Sequence, residues 1–264
     1  STWEDAAALR QRLAPGARLG IVGAGWLGLE LASSAAAAGG EVTVLDMAPA
    51  PLGQVVPPAV SSRVARWLVD AGVAFHGGEA VTAAGERAIV TGAAEREFDV
   101  VVVALGARPN TEWLPRELAP DGAHVPTDAA GRTALPGVWA IGDVAAPEGR
   151  ADQHWNAAVA SAERAAAALT GGEPARIPPP TAFSTMFGRD LDVVGWPRPD
   201  LEVAWRGGDG AWTALLHHGE VLHAGVVVGR PRDVADLRRL LADGPREVDL
   251  AWAVEAPRLR APYR

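Results

Sequence analysis

Apolar residues fall along this chain in two rhythms. Short unbroken runs, such as residues 18–22, 41–46 and 99–105, read as strands, while positions recurring every three or four residues mark helices that cover a sheet. The first run breaks into Gly23, Gly25 and Gly28 in the spacing G-x-G-x-x-G and passes straight into an alanine-rich helix reaching about residue 38. A second strand then ends in Asp46, 23 residues after Gly23. A proline-rich loop is expected over residues 47–58, followed by a helix over 59–71 with Val60, Val64, Trp67 and Leu68 on one side. Residues 72–77 form a third strand, and the alternating stretch 79–98 predicts short antiparallel strands around Gly85 and Gly92. The apolar run from residue 99 opens into Gly106 and then Arg-Pro, and open α/β sheets bind ligands at such strand ends. The expectation is one complete nucleotide-binding unit over about residues 17–110.

Each glycine of the string has a physical task in that reading. Gly23 makes the tight turn, Gly25 lets the backbone approach a pyrophosphate, and Gly28 allows helix and strand to pack closely. The phosphates then lie at a helix N-terminus, where backbone N–H groups lack intrahelical partners. The plainer alternative is that the glycines serve close packing alone. Asp46 can accept hydrogen bonds from both ribose hydroxyls and repels a 2′-phosphate, and Met47, Ala48 and Pro49 after it offer no arginine. NAD is therefore favoured over NADP, unless Arg63 or Arg66 folds back toward the site.

Farther on, residues 152–169 form an amphipathic, alanine-rich helix, and residues 171–180 a linker ending in prolines. Strands are expected over 191–196, 201–206, 211–218 and 220–228, and a helix over 232–242. This alternation suits an antiparallel sheet with one buried face in a small α+β domain.

Composition narrows the chemistry. The 264 residues contain no cysteine, and all 24 basic residues are arginine. Dithiol redox centres, thiolate metal sites and a cysteine nucleophile are excluded, as are Schiff-base lysines and a P-loop. A net charge of −8 argues against a nucleic-acid surface. No apolar run approaches the roughly 18 residues that span a bilayer, and the first residues read as a polar helix rather than a signal peptide, so no membrane partner and a cytoplasmic location are expected.

The order of these segments resembles that of FAD-dependent pyridine-nucleotide oxidoreductases. The glycine string, the strand ending in Asp46, the three-stranded meander, VVVALGARPNTEWL at 101–114 and GVWAIGDVA at 137–145 occur in that order. The chain is most similar to the ferredoxin reductase branch, of the rhodocoxin or putidaredoxin reductase type, over about residues 2–254. The resemblance implies an α/β fold in three parts: a Rossmann-type NAD-binding domain over 1–114, a partial FAD-domain return segment over 115–172, and a small α+β C-terminal domain over 173–264. It also implies that Gly142 and Asp143 contact the flavin's ribityl and pyrophosphate groups, that Glu30 sits near the nicotinamide as the catalytic-site carboxylate, and that Gly106 lies where the two cofactors meet.

The departures are as specific as the match. Members of that branch open with a glycine-rich βαβ segment for FAD, and these residues begin instead at the helix preceding the NAD domain. The return segment then lacks its packing layer, which another polypeptide, a second copy or the C-terminal domain must supply, unless the 264 residues belong to a longer protein. A motif resembling E-H-W-x-N-A-x-E-Q-G is reduced here to Gln153, His154 and Trp155 followed by Ala160, Ser161 and Ala162. A motif resembling F-W-S-D-Q, normally beside the flavin ring, reads Ala182, Phe183, Ser184, Thr185, Met186.

Two functions remain open at this point. One is an NADH-binding oxidoreductase subunit that passes hydride through FAD, shared with a partner chain, to an electron carrier or substrate. The other is a redox-dead nucleotide-binding or scaffold module whose flavin cleft has been reused. His217, His218 and His223 alternate faces and lack a carboxylate cluster, so no metal is expected. His154 reads first as a packing residue and second as a proton-handling group. Trp113, Trp139 and Trp155 read first as core and second as the lining of a pocket or interface.

Overall fold

The computed structural model describes residues 2–259. Helix α1 (Trp3–Arg12) starts at a capping box, Thr2 with Asp5, which satisfies two backbone donors at once. Next come β1 (Arg18–Val22), α2 (Trp26–Ala37), β2 (Glu41–Asp46), α3 (Pro58–Asp70) and β3 (Ala74–Gly77). A meander of β4 (Val81–Ala84), β5 (Ala88–Thr91) and β6 (Glu95–Glu97) leads to β7 (Val100–Val103). The parallel sheet has the order β3-β2-β1-β7, with Leu19 opposite both Val42 and Val100. Leu19, Ile21, Val44 and Leu45 are fully buried because helices cover one face and the meander lies on the other. Gly20 makes that second contact possible, since a Cβ there would stand 2.6 Å from the Phe98 ring.

The return segment is slight by comparison. Its strands β8 (Val125–Thr127) and β9 (Ala145–Pro147) pair in parallel as a two-stranded sheet. The apolar stretch 138–141 joins no ladder beyond a single bridge from Trp139 to Arg132. Helix α4 (Trp155–Leu169) then runs into the proline linker.

The antiparallel sheet that follows contains β10 (Thr181–Met186), β11 (Arg189–Gly195), β12 (Glu202–Gly207), β13 (Trp212–His218) and β14 (Val221–Val228), in the order β10-β11-β14-β13-β12. Strand β10 lies in the stretch that the sequence marked only by its flavin-motif resemblance. Helix α5 (Pro231–Leu240) lays Leu237 against Gly225, and β15 (Arg246–Glu247) and α6 (Leu250–Glu255) close the domain. Under this helical layer Asp233 accepts from Arg206 at 2.9 Å, Thr213 at 2.8 Å and Arg230 at 2.7 Å, and Arg206 also donates to the Ala253 and Ala256 carbonyls. A buried charge so fully paired is costly to break from one side, about 3–5 kcal/mol.

One apolar core joins the parallel and antiparallel sheets. It runs from Leu19, Ile21 and Leu29 through Val64 and Trp67 to Met186, Leu191 and Trp212. Helices α2 and α3 are therefore sandwiched between the two sheets.

Candidate functional site

The glycine turn lies at the carboxyl edge of the parallel sheet. Gly23 has a positive φ of 109°, and a Cβ there would overlap the Ala104 carbonyl oxygen at the end of β7. A Cβ at Gly28 would overlap the Gly23 carbonyl oxygen itself, so this glycine is what lets α2 start so close to the turn. Gly25 differs from both. A Cβ there would meet nothing within 4 Å, so the space over it is open to a ligand, and α2 has no side-chain cap at this residue. No side chain caps the first N–H groups of α2, the arrangement the sequence pattern requires for a pyrophosphate.

Asp46 closes one side of the cradle. Its carboxylate accepts from the Ala24 N–H at 2.6 Å and the Ala48 N–H at 2.7 Å, which fixes it across the glycine turn from the end of β2. One hydrogen bond per oxygen leaves each with further accepting capacity. Leu52, in the loop after β2, donates its N–H to the Ala24 carbonyl at 2.9 Å and holds that loop against the turn. Gly106, at a φ of 97°, lies in the exposed loop after β7, beside Leu105, whose side chain reaches the Gly23 turn. Arg63 is not available to this site. Its guanidinium lies 3.9 Å from the Trp205 ring centroid and 5.3 Å from that of Trp212, a stacking that joins α3 to the C-terminal sheet.

Glu30 projects from α2 toward the C-terminal sheet rather than into the parallel one. Ser184 on β10 donates to its Oε1 at 2.5 Å, and three residues along the same helix face the Ser33 hydroxyl accepts from the Phe187 N–H at 2.7 Å. The serine of the reduced F-W-S-D-Q segment is thus the partner of the carboxylate that the resemblance assigns to the nicotinamide. Residue spacing in the chain gave no signal for this pair, which lies 154 positions apart. Nearby, the Phe183 N–H donates to His154 Nε2 at 3.2 Å and the two rings meet edge to face at 5.0 Å, so His154 is a packing residue tying α4 to β10. Met186 is buried in the core, and Thr185 donates to Asp190 at 2.7 Å.

Gly142 and Asp143, which the resemblance assigns to the flavin, stand on a more exposed surface. Gly142 adopts a φ of 70° at the start of a 3₁₀ turn over Gly142–Val144, and its N–H donates to the Ser161 hydroxyl at 2.8 Å. Asp143 projects from that turn into solvent. Around it, Trp113 is 76% exposed and Trp155 is 74% exposed, while Ile141 and Val159 are also exposed. The expectation that both tryptophans lie in the core is corrected by the structure, which leaves their side chains exposed. An apolar groove of about 260 Å³ runs beside the 138–141 stretch, lined by Trp113, Leu118, Val138 and Ile141 among others. The opposite face of α4, with Asn156, Ala160 and Ser161, borders a much larger cavity against the C-terminal domain.

Comparison with known proteins places these features in context. The profile of the pyridine nucleotide-disulphide oxidoreductases matches residues 1–165, and that of reductase C-terminal domains matches residues 183–261. The chain is similar to the crystal structure of Fdr9, with 30% identity and a TM-score of 0.90 over 100% of this chain and 70% of that one. It is similar to the ferredoxin reductase for the CYP199A2 system from Rhodopseudomonas palustris, with 28% identity and a TM-score of 0.86 over 97% of this chain and 66% of that one. It is also similar to a chain of the covalent putidaredoxin reductase-putidaredoxin complex, with 26% identity and a TM-score of 0.86 over 97% of this chain and 68% of that one. These 264 residues therefore span about two thirds of the length of such proteins. Among the described residues no helix is long and apolar enough to cross a membrane.

Proposed function

Because the chain belongs to the pyridine nucleotide-disulphide oxidoreductase family, we propose that it binds NADH and serves as the pyridine-nucleotide half of a flavin-dependent reductase feeding an electron carrier. The observation that carries this reading is the cradle at Gly25, open above the backbone and closed at the side by Asp46. Donation of hydride by NADH, and its acceptance with onward release of single electrons by FAD, is chemistry the bound groups supply.

The chain's own residues bind and orient. The Gly23 turn and the N-terminus of α2 receive the pyrophosphate, and Asp46 receives the adenosine ribose. Met47 beside it carries no charge and Arg63 is held on Trp205, which supports NADH over NADPH. Glu30 acts as a positioning residue at the nicotinamide end: Ser184 occupies its Oε1 and leaves Oε2 for an amide donor. Gly142 and Asp143 fit the ribityl and pyrophosphate groups of FAD in so far as the turn is preformed and its carboxylate is free. The bare apolar face beside them supports a flavin site completed by a layer outside these 264 residues, and the greater length of the related structures leaves room for the glycine-rich βαβ segment of FAD binding. The division into parts at 1–114, 115–172 and 173–264 belongs to the same proposal.

A second reading, a binding module without redox chemistry, is favoured by one observation: Ala160, Ser161, Thr185 and Met186 replace the polar groups of both flavin motifs. Absorbance and NADH-dependent dye reduction test the choice. Reductase function predicts NADH binding by the purified chain, together with dye reduction once FAD and the missing layer are present. A chain that binds NADH but reduces no dye in that complete mixture is the module instead.

A further inference from the structure

We infer that Ser184 is a positioning residue for the dinucleotide. It holds the Glu30 carboxylate so that the nicotinamide carboxamide meets Oε2, and it makes nicotinamide recognition depend on how the β10–β11 hairpin docks on α2. The inference rests on the NADH reading and on Glu30 as the carboxylate at the nicotinamide end. What points to it is the state of that carboxylate. Glu30 is partly buried in a chain that carries 24 arginines, yet among the described residues none of them pairs with it. The one hydrogen bond its carboxylate accepts there comes from a neutral group, the Ser184 hydroxyl at 2.5 Å. A partly buried carboxylate with a single neutral donor retains accepting capacity for a ligand.

The placement of Ser184 is set by a strained turn. Strands β10 and β11 pair from Thr181 opposite Val194 to Met186 opposite Arg189, which puts Ser184 opposite Leu191 and leaves Phe187 and Gly188 as a two-residue turn. Both turn residues have positive φ, 52° and 69°. That geometry matches the twist of the strands and suits glycine, but it is unfavourable for a residue as large as phenylalanine, so contacts around the turn must hold it. Two do. The Phe187 N–H donates to the Ser33 hydroxyl on α2 at 2.7 Å, and the Phe187 carbonyl accepts from Arg189 Nη1 at 2.9 Å. Arg189 in turn lies over the Trp67 ring of α3, 5.2 Å from its centroid.

These anchors fix register as well as position. Side chains of a strand alternate faces, so a slip of one residue would turn Ser184 away from α2 and bring Phe183 or Thr185 there instead. Ser33 stands three positions after Glu30 on the same helical face, so the turn and the Ser184 hydroxyl reach α2 together. Ser184 is only 3% exposed, whereas Phe183 and Thr185 on either side of it are exposed. Its Oγ carries a single proton, and giving that proton to Oε1 fixes the rotation of the Glu30 carboxylate and leaves Oε2 for a ligand's N–H. Asp46, proposed for the adenosine ribose, has no hydrogen bond to either side chain among the described residues, so the two ends of the dinucleotide are read separately.

Titration calorimetry with NADH and with ADP-ribose, which lacks the nicotinamide, tests this. The parent should bind NADH at least tenfold more tightly than ADP-ribose. Ser184→Ala should weaken NADH binding at least fivefold and leave that of ADP-ribose within twofold, which also reports that the cradle is still folded. In a Glu30→Ala background the same change should have no further effect, since Ser184 acts through that carboxylate. A parent that binds neither probe overturns the NADH reading and this inference with it. The inference alone is overturned, and the NADH reading stands, under any of three results: the parent binds both probes equally, Ser184→Ala binds NADH as the parent does or loses both probes alike, or its effect persists in full without Glu30.

Discussion

The nucleotide-binding half and the return segment are built from similar residues but finished to different degrees. In the first, β1 and β2 present side chains to both faces and both faces are covered, so Leu19, Ile21, Val44 and Leu45 lose all contact with water. In the second, β8 and β9 make a two-stranded parallel pair, and Ile141, Trp155 and Val159 stay exposed around it. Parallel strands occur almost only where both faces are buried. The difference teaches that the return segment is shaped to be covered. Its fold is set locally by turns at Gly131 and Gly142 and by α4, with far less apolar burial than the parallel sheet has.

That contrast can be broken most sharply at the glycine turn. Gly28→Ala forces a Cβ into the Gly23 carbonyl oxygen, so α2 must shift. The expected cost is about 3 kcal/mol, the upper range for overpacking, with loss of measurable NADH binding by fluorescence titration. Asp46→Ala removes the acceptor for two backbone N–H groups. About 2 kcal/mol of stability should go with it, and NADH affinity should fall about tenfold while the far-UV spectrum is kept.

The two halves should also respond oppositely to pH. In the nucleotide-binding half, the Arg18 guanidinium and backbone N–H hold Asp99 below its ordinary value, so its contribution is present above that value and is lost as pH falls through the lower folded-state one. In the return segment, burial raises Asp152, with the charge of His154 opposing and that of Asp143 adding. A carboxyl raised on folding binds its proton more tightly in the native state, so stability falls as pH rises from its ordinary value through the folded-state one. Melting curves at pH 4 and pH 7 should therefore show Asp152→Asn gaining relative to the parent at pH 7 and Asp99→Asn losing.

The smallest effect is expected on the bare face. Ile141→Ser changes an exposed side chain and should alter the melting free energy by less than about 0.5 kcal/mol. A loss of several kcal/mol would mean that this face is already packed, and the contrast between the halves would fail. The same variant should weaken association with a separately supplied FAD-binding segment.

Much of this was legible in the chain by itself, because the signals are local. The spacing of Gly23, Gly25 and Gly28 between an apolar run and a helical pattern determines strand, turn and helix through φ and close packing alone, and Asp46 follows as the end of the next strand. The alternation in residues 191–228 specifies an antiparallel sheet for the same reason. The rest was decided by tertiary structure. Glu30 meets Ser184 across 154 positions, Arg63 stacks on Trp205 in another sheet, and His154 at the start of α4 accepts from Phe183 on β10. No local pattern encodes those encounters, since each depends on how α2, α3 and α4 pack against the C-terminal sheet, and that packing is a sum of burial over the whole core rather than a property of any one segment.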